Sequence, residues 1–139
     1  MKYLLDTCVV SELVKPAPDQ CVLYWLDNAH AEDLFLSALT IGELRKGIVK
    51  LPTSRKKEQL NTWLNNLLKE YSNRIFSVNT IVAESWGMIQ GAAEKNGMPM
   101  SSIDGMIAAT AYMHSLIIVT RNEKDFVASQ MPVINPWKK

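Results

Sequence analysis

An α/β domain is what this sequence predicts: a mainly parallel sheet of four or five strands, covered by helices on both faces. Short apolar runs of strand length alternate with helix-length segments along the chain, the order that builds βα units. The strand runs, LFLSA and LIIVT among them, are apolar at successive positions instead of every second one, so both faces of each strand need a cover. The third observation is size. A chain of 139 residues suits one domain, residues 1–139, whose core needs no metal or disulfide staple.

In order, Lys2–Leu5 reads as a short strand ending on Asp6, and Val9–Val14 as a helical segment stopped near Pro16 and Pro18. Asp19 can open the next helix, whose Val22, Trp25, Leu26 and Ala29 form one apolar stripe ending near His30. Leu34–Ala38 is the second strand. Thr40–Leu51 follows as a helix with Ile41, Leu44, Ile48 and Leu51 on one side and Glu43 on the flank shared with Gly47 and Lys50. Pro52 and Thr53 break the chain before a regular amphipathic helix, Ser54–Tyr71, with Leu60, Trp63, Leu64, Leu67 and Leu68 on its apolar face.

Ile75–Val78 reads as the third strand. Asn79 or Thr80 caps a long helix that stops at Asn96-Gly97, with Pro99 just beyond. Ile103–Met113 is a helix apolar on nearly every side, where Ala108, Ala109 and Ala111 would admit a neighbouring backbone and Asp104 is the one formal charge. A strand over Leu116–Thr120, one or two helical turns over Asn122–Ala128 and an edge strand over Met131–Ile134 complete the chain. It carries no repeat, low-complexity segment or linker.

A net charge of +1 argues against a protein that coats nucleic acid by bulk electrostatics. The cations are uneven all the same. Arg45, Lys46, Lys50, Arg55, Lys56 and Lys57 share one segment, which reads as a solvated helix face or as a surface that tracks phosphate. No apolar run reaches membrane-span length and the run after Met1 is short for a signal peptide, so a cytoplasmic protein with no membrane contact is expected. Cys8 and Cys21 are then expected as reduced thiols. Trp63 and Trp86, on apolar helix faces, are expected as core or dimer contacts.

The chemistry-bearing residues are acids. Asp6 ends strand one, Glu43 follows strand two, Asp104 opens the helix before strand four and Asp125 comes just after that strand. In parallel sheets ligands bind beyond the carboxyl ends of the strands, where these four fall. Each alone has a plainer reading: Thr40-x-x-Glu43, Ser101-x-x-Asp104 and Asn122-x-x-Asp125 match or approach a capping box, and Asp6 can cap the helix after its strand. Together they would repel one another unless a divalent cation joins them. Oxygen donors without thiolate or imidazole suit Mg2+, with Mn2+ as the substitute. His30 and His114 lack zinc-ligand spacing, no nucleophilic triad is recognisable and there is no glycine-rich phosphate loop. A carboxylate Mg2+ site beside a basic surface suits phosphodiester hydrolysis, with one ion or two.

These segments resemble the motifs of the PIN-domain ribonucleases, and within them the VapC-type toxins of bacterial toxin–antitoxin pairs. LLDTCVVSELVKP, with Asp6 and Thr7, is similar to the first motif; SALTIGELRKGI carries Glu43, PMSSIDGMIAATA carries Asp104 and IIVTRNEKDF resembles the fourth. The early PAPD and the closing VINPW bring the chain nearer the FitB-like branch. The resemblance implies a PIN-like (Rossmann-like) three-layer α/β/α sandwich and a Mg2+-dependent endoribonuclease that cleaves RNA and inhibits translation. It implies Asp6 and Asp104 as metal ligands, Glu43 completing the cluster, and Thr7 and Thr120 orienting carboxylates. Many PIN domains carry an acid at Asn122, which leaves Asn122 and Asp125 as competing candidates for the fourth position. Cys8 stands where the family often has Asn and is read as a small buried filler. The implied partners are an RNA substrate, a VapB/FitA-like antitoxin with a ribbon-helix-helix DNA-binding end, operator DNA through that complex, and a second copy in a homodimer.

Two other readings stay open. A receiver-like signalling domain also binds Mg2+ with carboxylates, but it wants paired acids after strand one and an Asp after strand three, where this chain has Asp6 alone and Ser77-Val78-Asn79. A PIN-like scaffold that binds without cutting would keep the fold and need no acids.

Overall fold

A strand apolar on both sides must lie inside, and the central strand of this protein is its first. A computed structural model describes residues 1–138. β1 (Tyr3–Leu5) pairs with β2 (Leu34–Ser37) on one side and β4 (Ile117–Val119) on the other; β3 (Ile75–Phe76) and β5 (Val133–Ile134) form the edges. The order is β3-β2-β1-β4-β5, and every neighbouring pair is parallel. Leu4 stands opposite Phe35 and Ile118, and Leu5 opposite Val119. Successive residues point to opposite faces, and both faces are dry. Leu4 and Ile118 pack with Ile107, Ala108, Ala111 and Phe126, whereas Leu5, Leu36 and Val119 pack with Val9, Val22, Leu44 and Leu64.

Those two clusters define the outer layers. α1 (Thr7–Glu12), α2 (Gln20–Asn28), α3 (Ala38–Val49) and α4 (Arg55–Glu70) build the first. α6 (Ser102–His114) and a 3-10 turn over Glu123–Ser129 build the second, with α5 (Thr80–Lys95) packed on α6. The result is the three-layer α/β/α sandwich with a parallel sheet. The chain winds outward from β1 to β3, then crosses back to β4 and continues to β5. That reversal leaves a crevice at the carboxyl ends of β1 and β4, the usual ligand position of such sheets.

Most expected caps are in place. Asp19 Oδ1 accepts from Cys21 N–H at 2.8 Å, Ser54 Oγ from Lys57 N–H at 3.1 Å and Asn79 Oδ1 from Val82 N–H at 3.0 Å. Gly97, at φ 72°, ends α5 in the left-handed region as its Asn-Gly pair predicts. Three expectations are corrected. α3 starts at Ala38, capped by Ser37 Oγ, so Thr40 is no cap but a fully buried first-turn residue. The edge strands are two residues long, shorter than Ile75–Val78 and Met131–Ile134, because an edge pairs on one side only. A 3-10 turn over Ala31–Asp33, unexpected from the sequence, leads into β2.

α5 and α6 approach closely where Gly105 follows Asp104. A Cβ on Gly105 would overlap Gln90 Oε1 and lie 3.0 Å from the Trp86 indole. Gln90 cannot yield freely, since it is 6% exposed and its amide donates to Met100 O at 2.7 Å and Glu94 Oε2 at 3.0 Å. Gly105→Ala is therefore expected to lose roughly 1–3 kcal/mol in urea unfolding. Its penalty should shrink in a Gln90→Ala background, because that change removes the overlapping atoms. Equal penalties in both backgrounds would show that this contact does not set the spacing.

Candidate active site

The crevice is lined by side chains that the sheet and helix ends place for local reasons. Asp6 leaves β1 with its N–H still in the ladder, donating to Val119 O at 2.9 Å. It caps α1, and Thr7 N–H donates to its Oδ1 at 2.9 Å. Thr120, the first residue after β4, donates its hydroxyl to Asp6 Oδ2 at 2.8 Å and accepts Asn122 N–H at 3.0 Å. Thr7 points its hydroxyl the other way, to Glu43 Oε1 at 2.6 Å, with the Thr40 hydroxyl 3.3 Å from it. Asp104, third residue of α6, donates its N–H to Ser101 Oγ at 3.1 Å, so the capping reading holds there.

The electrostatics tie these groups together. Asp6 is 7% exposed, and burial pushes its carboxyl above the usual aspartate range, against the pull of Thr120 and Thr7. The charges of Asp104 and Glu43 push it the same way. Asp104 is raised as well, first by burial and then by the charges of Asp125 and Glu43, with Ser101 opposing. Asp6 thus lies in the fields of Asp104 and Glu43, and Asp104 in those of Asp125 and Glu43. The ion pairs among the described residues, Lys15–Glu12 at 2.9 Å and Lys138–Glu123 at 2.6 Å, involve none of them. No three acidic, imidazole or thiol groups among the described residues close into a ready ligand set. What the four acids offer is oxygen donors without nitrogen or sulfur, the ligand chemistry a hard divalent cation takes.

The two candidates for the fourth position differ in how they join. Asp125 is exposed on the 3-10 turn and its charge reaches Asp104. Asn122 is also exposed, and what it adds to the crevice is its N–H bond to Thr120. The half-buried thiol of Cys8 lies 3.8 Å from Asp6 Oδ2 and 3.5 Å from Thr120 Oγ1, accepts Arg121 N–H, and is pushed up in pKa by burial, which disfavours its thiolate. His30 is exposed and His114 closes α6, stacked on Phe76 at 3.7 Å, so neither belongs to the site.

The basic segment divides. Arg45 donates to Asn61 at 2.7 Å and Asn65 at 3.0 Å, and Lys57 to the carbonyls of Val49 and Leu51, so both staple α3 to α4. Lys46, Lys50, Arg55 and Lys56 remain exposed. Two residues escaped the sequence reading. Thr40 was masked by its resemblance to a cap. Glu12, 4% exposed, accepts Asp19 N–H at 2.9 Å and pairs with Lys15, holding the Pro16–Pro18 turn. Its one signal was a cation three residues on, common on any helix.

The profile of the PIN domain matches residues 3–128. Toxin FitB of Neisseria gonorrhoeae is 40% identical over 135 residues, covering 96% of this chain and 97% of its own. VapC ribonuclease Y4jK of Sinorhizobium fredii is 35% identical over 136 residues, covering 97% of each. Among solved structures, FitAB bound to the IR36 DNA fragment superposes with a TM-score of 0.94 at 37% identity, covering 99% of this chain and 96% of that one. Matched over nearly its whole length in sequence and in fold, the chain belongs to the PIN-domain family, on the FitB-like VapC branch.

Proposed function

We propose that this protein is a Mg2+-dependent endoribonuclease, the toxin of a toxin–antitoxin pair, which inhibits translation by cutting RNA. The observation that carries the reading is Asp6: a buried carboxylate, raised in pKa, that lies in the fields of Asp104 and Glu43 and has no cationic partner among the described residues. Asp6, Asp104 and Glu43 would hold the ion, with Asp125 as the added charge at the rim. A divalent ion in such a site activates water and neutralises charge developing on a phosphoryl oxygen. The chain's own part is orientation. Thr120 and Thr7 N–H fix the Asp6 carboxylate, the Thr7 hydroxyl fixes Glu43, and the Ser101 cap fixes the turn that presents Asp104.

The partners follow from the relatives. The FitAB structure holds a toxin relative with its partner on DNA, which supports a VapB/FitA-like antitoxin for this chain and operator DNA bound through the complex. A homodimer is consistent with the apolar side chains exposed along α5 and α6, Ile81, Met88 and Tyr112.

Cleavage of single-stranded RNA by the wild type is expected in Mg2+ or Mn2+ and not in EDTA. Asp6→Asn and Asp104→Asn should each lower it by on the order of 100-fold or more. Equal cleavage under every condition would leave only the scaffold reading. Binding can be read apart from cutting: Thr120→Val should weaken Mn2+ roughly 10-fold in calorimetric titration, because the Asp6 carboxylate loses a donor.

Stability gives a further test. The folded protein holds the Asp6 proton at pH values where an unfolded aspartate, near 3.9, has lost it. Stability is therefore lost as pH rises through the window just above that value. Without divalent ions, Asp6→Asn should melt at or above the wild-type temperature at pH 7.5, the gap narrowing toward pH 4. Mn2+ should raise the wild-type midpoint and leave that of Asp6→Asn in place. A variant that melts well below wild type would mean that the carboxylate serves the fold.

A further inference from the structure

A cleft beside the acids has no part in the assignment so far. It lies between the loop that leaves α5 and the 3-10 turn after β4, and encloses about 390 Å³, within the range of small-ligand sites. Met98, Pro99 and Met100 supply its apolar side and Ala128 and Lys124 face them; Asp104 and Asp125 line it too, so it is continuous with the acidic crevice.

The apolar side is held from behind. Gly97, at φ 72°, turns the chain out of α5, and Met98 N–H donates to Ala93 O at 2.8 Å. At the other end of the shelf the buried Gln90 amide holds Met100 O at 2.7 Å. A shelf fixed at both ends loses little freedom when a flat group settles on it. Its outer members stay in water all the same: Met98 is 47% exposed and Pro99 is exposed. Thioether and pyrrolidine surfaces are suited to the face of a π-system.

Charge selects the occupant. Lys124 is exposed, lines the same cleft as two carboxylates and forms no ion pair with either. An uncharged apolar ligand would leave Lys124 and the acids unmatched. A peptide could match Lys124 with a carboxylate, but that charge would also meet Asp104 and Asp125, whereas on the ribonuclease assignment the phosphate comes with the metal that offsets those acids. A nucleotide unit brings a planar base for the shelf and an anionic oxygen for the ammonium. In a duplex both faces of the base are already stacked, so the unit must come from a single strand.

We propose that this cleft is a nucleobase subsite, taking the base next to the phosphodiester presented to Asp6, Glu43 and Asp104, with Lys124 on a neighbouring phosphate. It rests on the ribonuclease assignment and adds to it the side chains that hold the base beside the cut, Met98, Pro99 and Met100, and the cation that meets its phosphate, Lys124. The test compares kcat/KM, in Mg2+, for a series of single-stranded RNA hexamers, each with one abasic nucleotide, cut by wild type, Met98→Ala and Lys124→Ala. For the wild type, one abasic position next to the cut should lower kcat/KM roughly 10-fold, the scale of a lost base stack. In Met98→Ala that penalty should fall below about threefold while the other positions keep theirs. Lys124→Ala should slow every member of the series alike. A wild type indifferent to every abasic position, or a penalty that Met98→Ala leaves intact, overturns the subsite with the ribonuclease assignment still standing. If the unmodified hexamer is not cut by the wild type in Mg2+, that assignment fails first and the subsite with it.

Discussion

Asp6 sits where a negative charge is difficult to keep. Its backbone is locked into the central ladder and its side chain is nearly out of water, so it cannot swing away to find solvent. Two donors, Thr120 and Thr7 N–H, offset part of the burial, yet the carboxyl is still pushed above its ordinary range. A fold seeking stability alone would place a hydroxyl or an amide there. The chain does the opposite and brings Glu43 and Asp104 into the field of Asp6, with Asp125 acting on Asp104. The constraint organising the crevice is that these acids are positioned by elements unable to move apart without breaking the sheet.

Topology explains how residues so distant in sequence come to share that field. Because the strand order reverses between β1 and β4, the turns leaving these two neighbouring strands diverge to opposite faces of the sheet. Asp6 and Thr120 occupy the first position of each turn and meet across the gap. Glu43 arrives on the first helical layer and Asp104 on the second, so the crevice receives acids from both sides. Glu12 and Glu123 make the contrast plain. Both acids lie outside the crevice, each is matched by a lysine, and both are lowered in pKa, first by that lysine. Glu12 and Glu123 each have a lysine, whereas none of the four crevice acids has an ion-pair partner among the described residues.

Much of this was legible in the chain. Strand–helix alternation, the caps at Asp19, Ser54 and Asn79 and the Asn96-Gly97 stop are local signals, and local signals survive folding. The acids could be placed at the carboxyl end because each follows a strand or opens a helix there. Less legible was whatever depends on contact across the fold. Thr40 looked like a cap because Ser37, which does the capping, lies inside the apolar run taken as strand. Arg45 and Lys57 looked like free cations because their partners, Asn61, Asn65 and the carbonyls of Val49 and Leu51, are met only when α4 folds back on α3. Gly105 gave no sign of the tight crossing it permits, since Gln90 and Trp86 lie well upstream.

A near-neutral net charge has a consequence for how such a crevice meets a polyanion. With +1 overall, no long-range field draws RNA in, and the acids repel any phosphate that approaches alone. On the proposed reading the cation reverses the local sign, so substrate and metal bind with positive linkage, each raising the affinity of the other. Two of the basic side chains that a sequence reader would assign to phosphate, Arg45 and Lys57, are tied up in holding helices together. Attraction is then left to the exposed Lys46, Lys50, Arg55 and Lys56 and to Lys124 beside the acids, and affinity should depend less on salt than it would if the whole basic segment tracked phosphates. On the proposed reading, a surface built that way would recognise the unpaired segment that fits the cleft and pass over RNA in bulk.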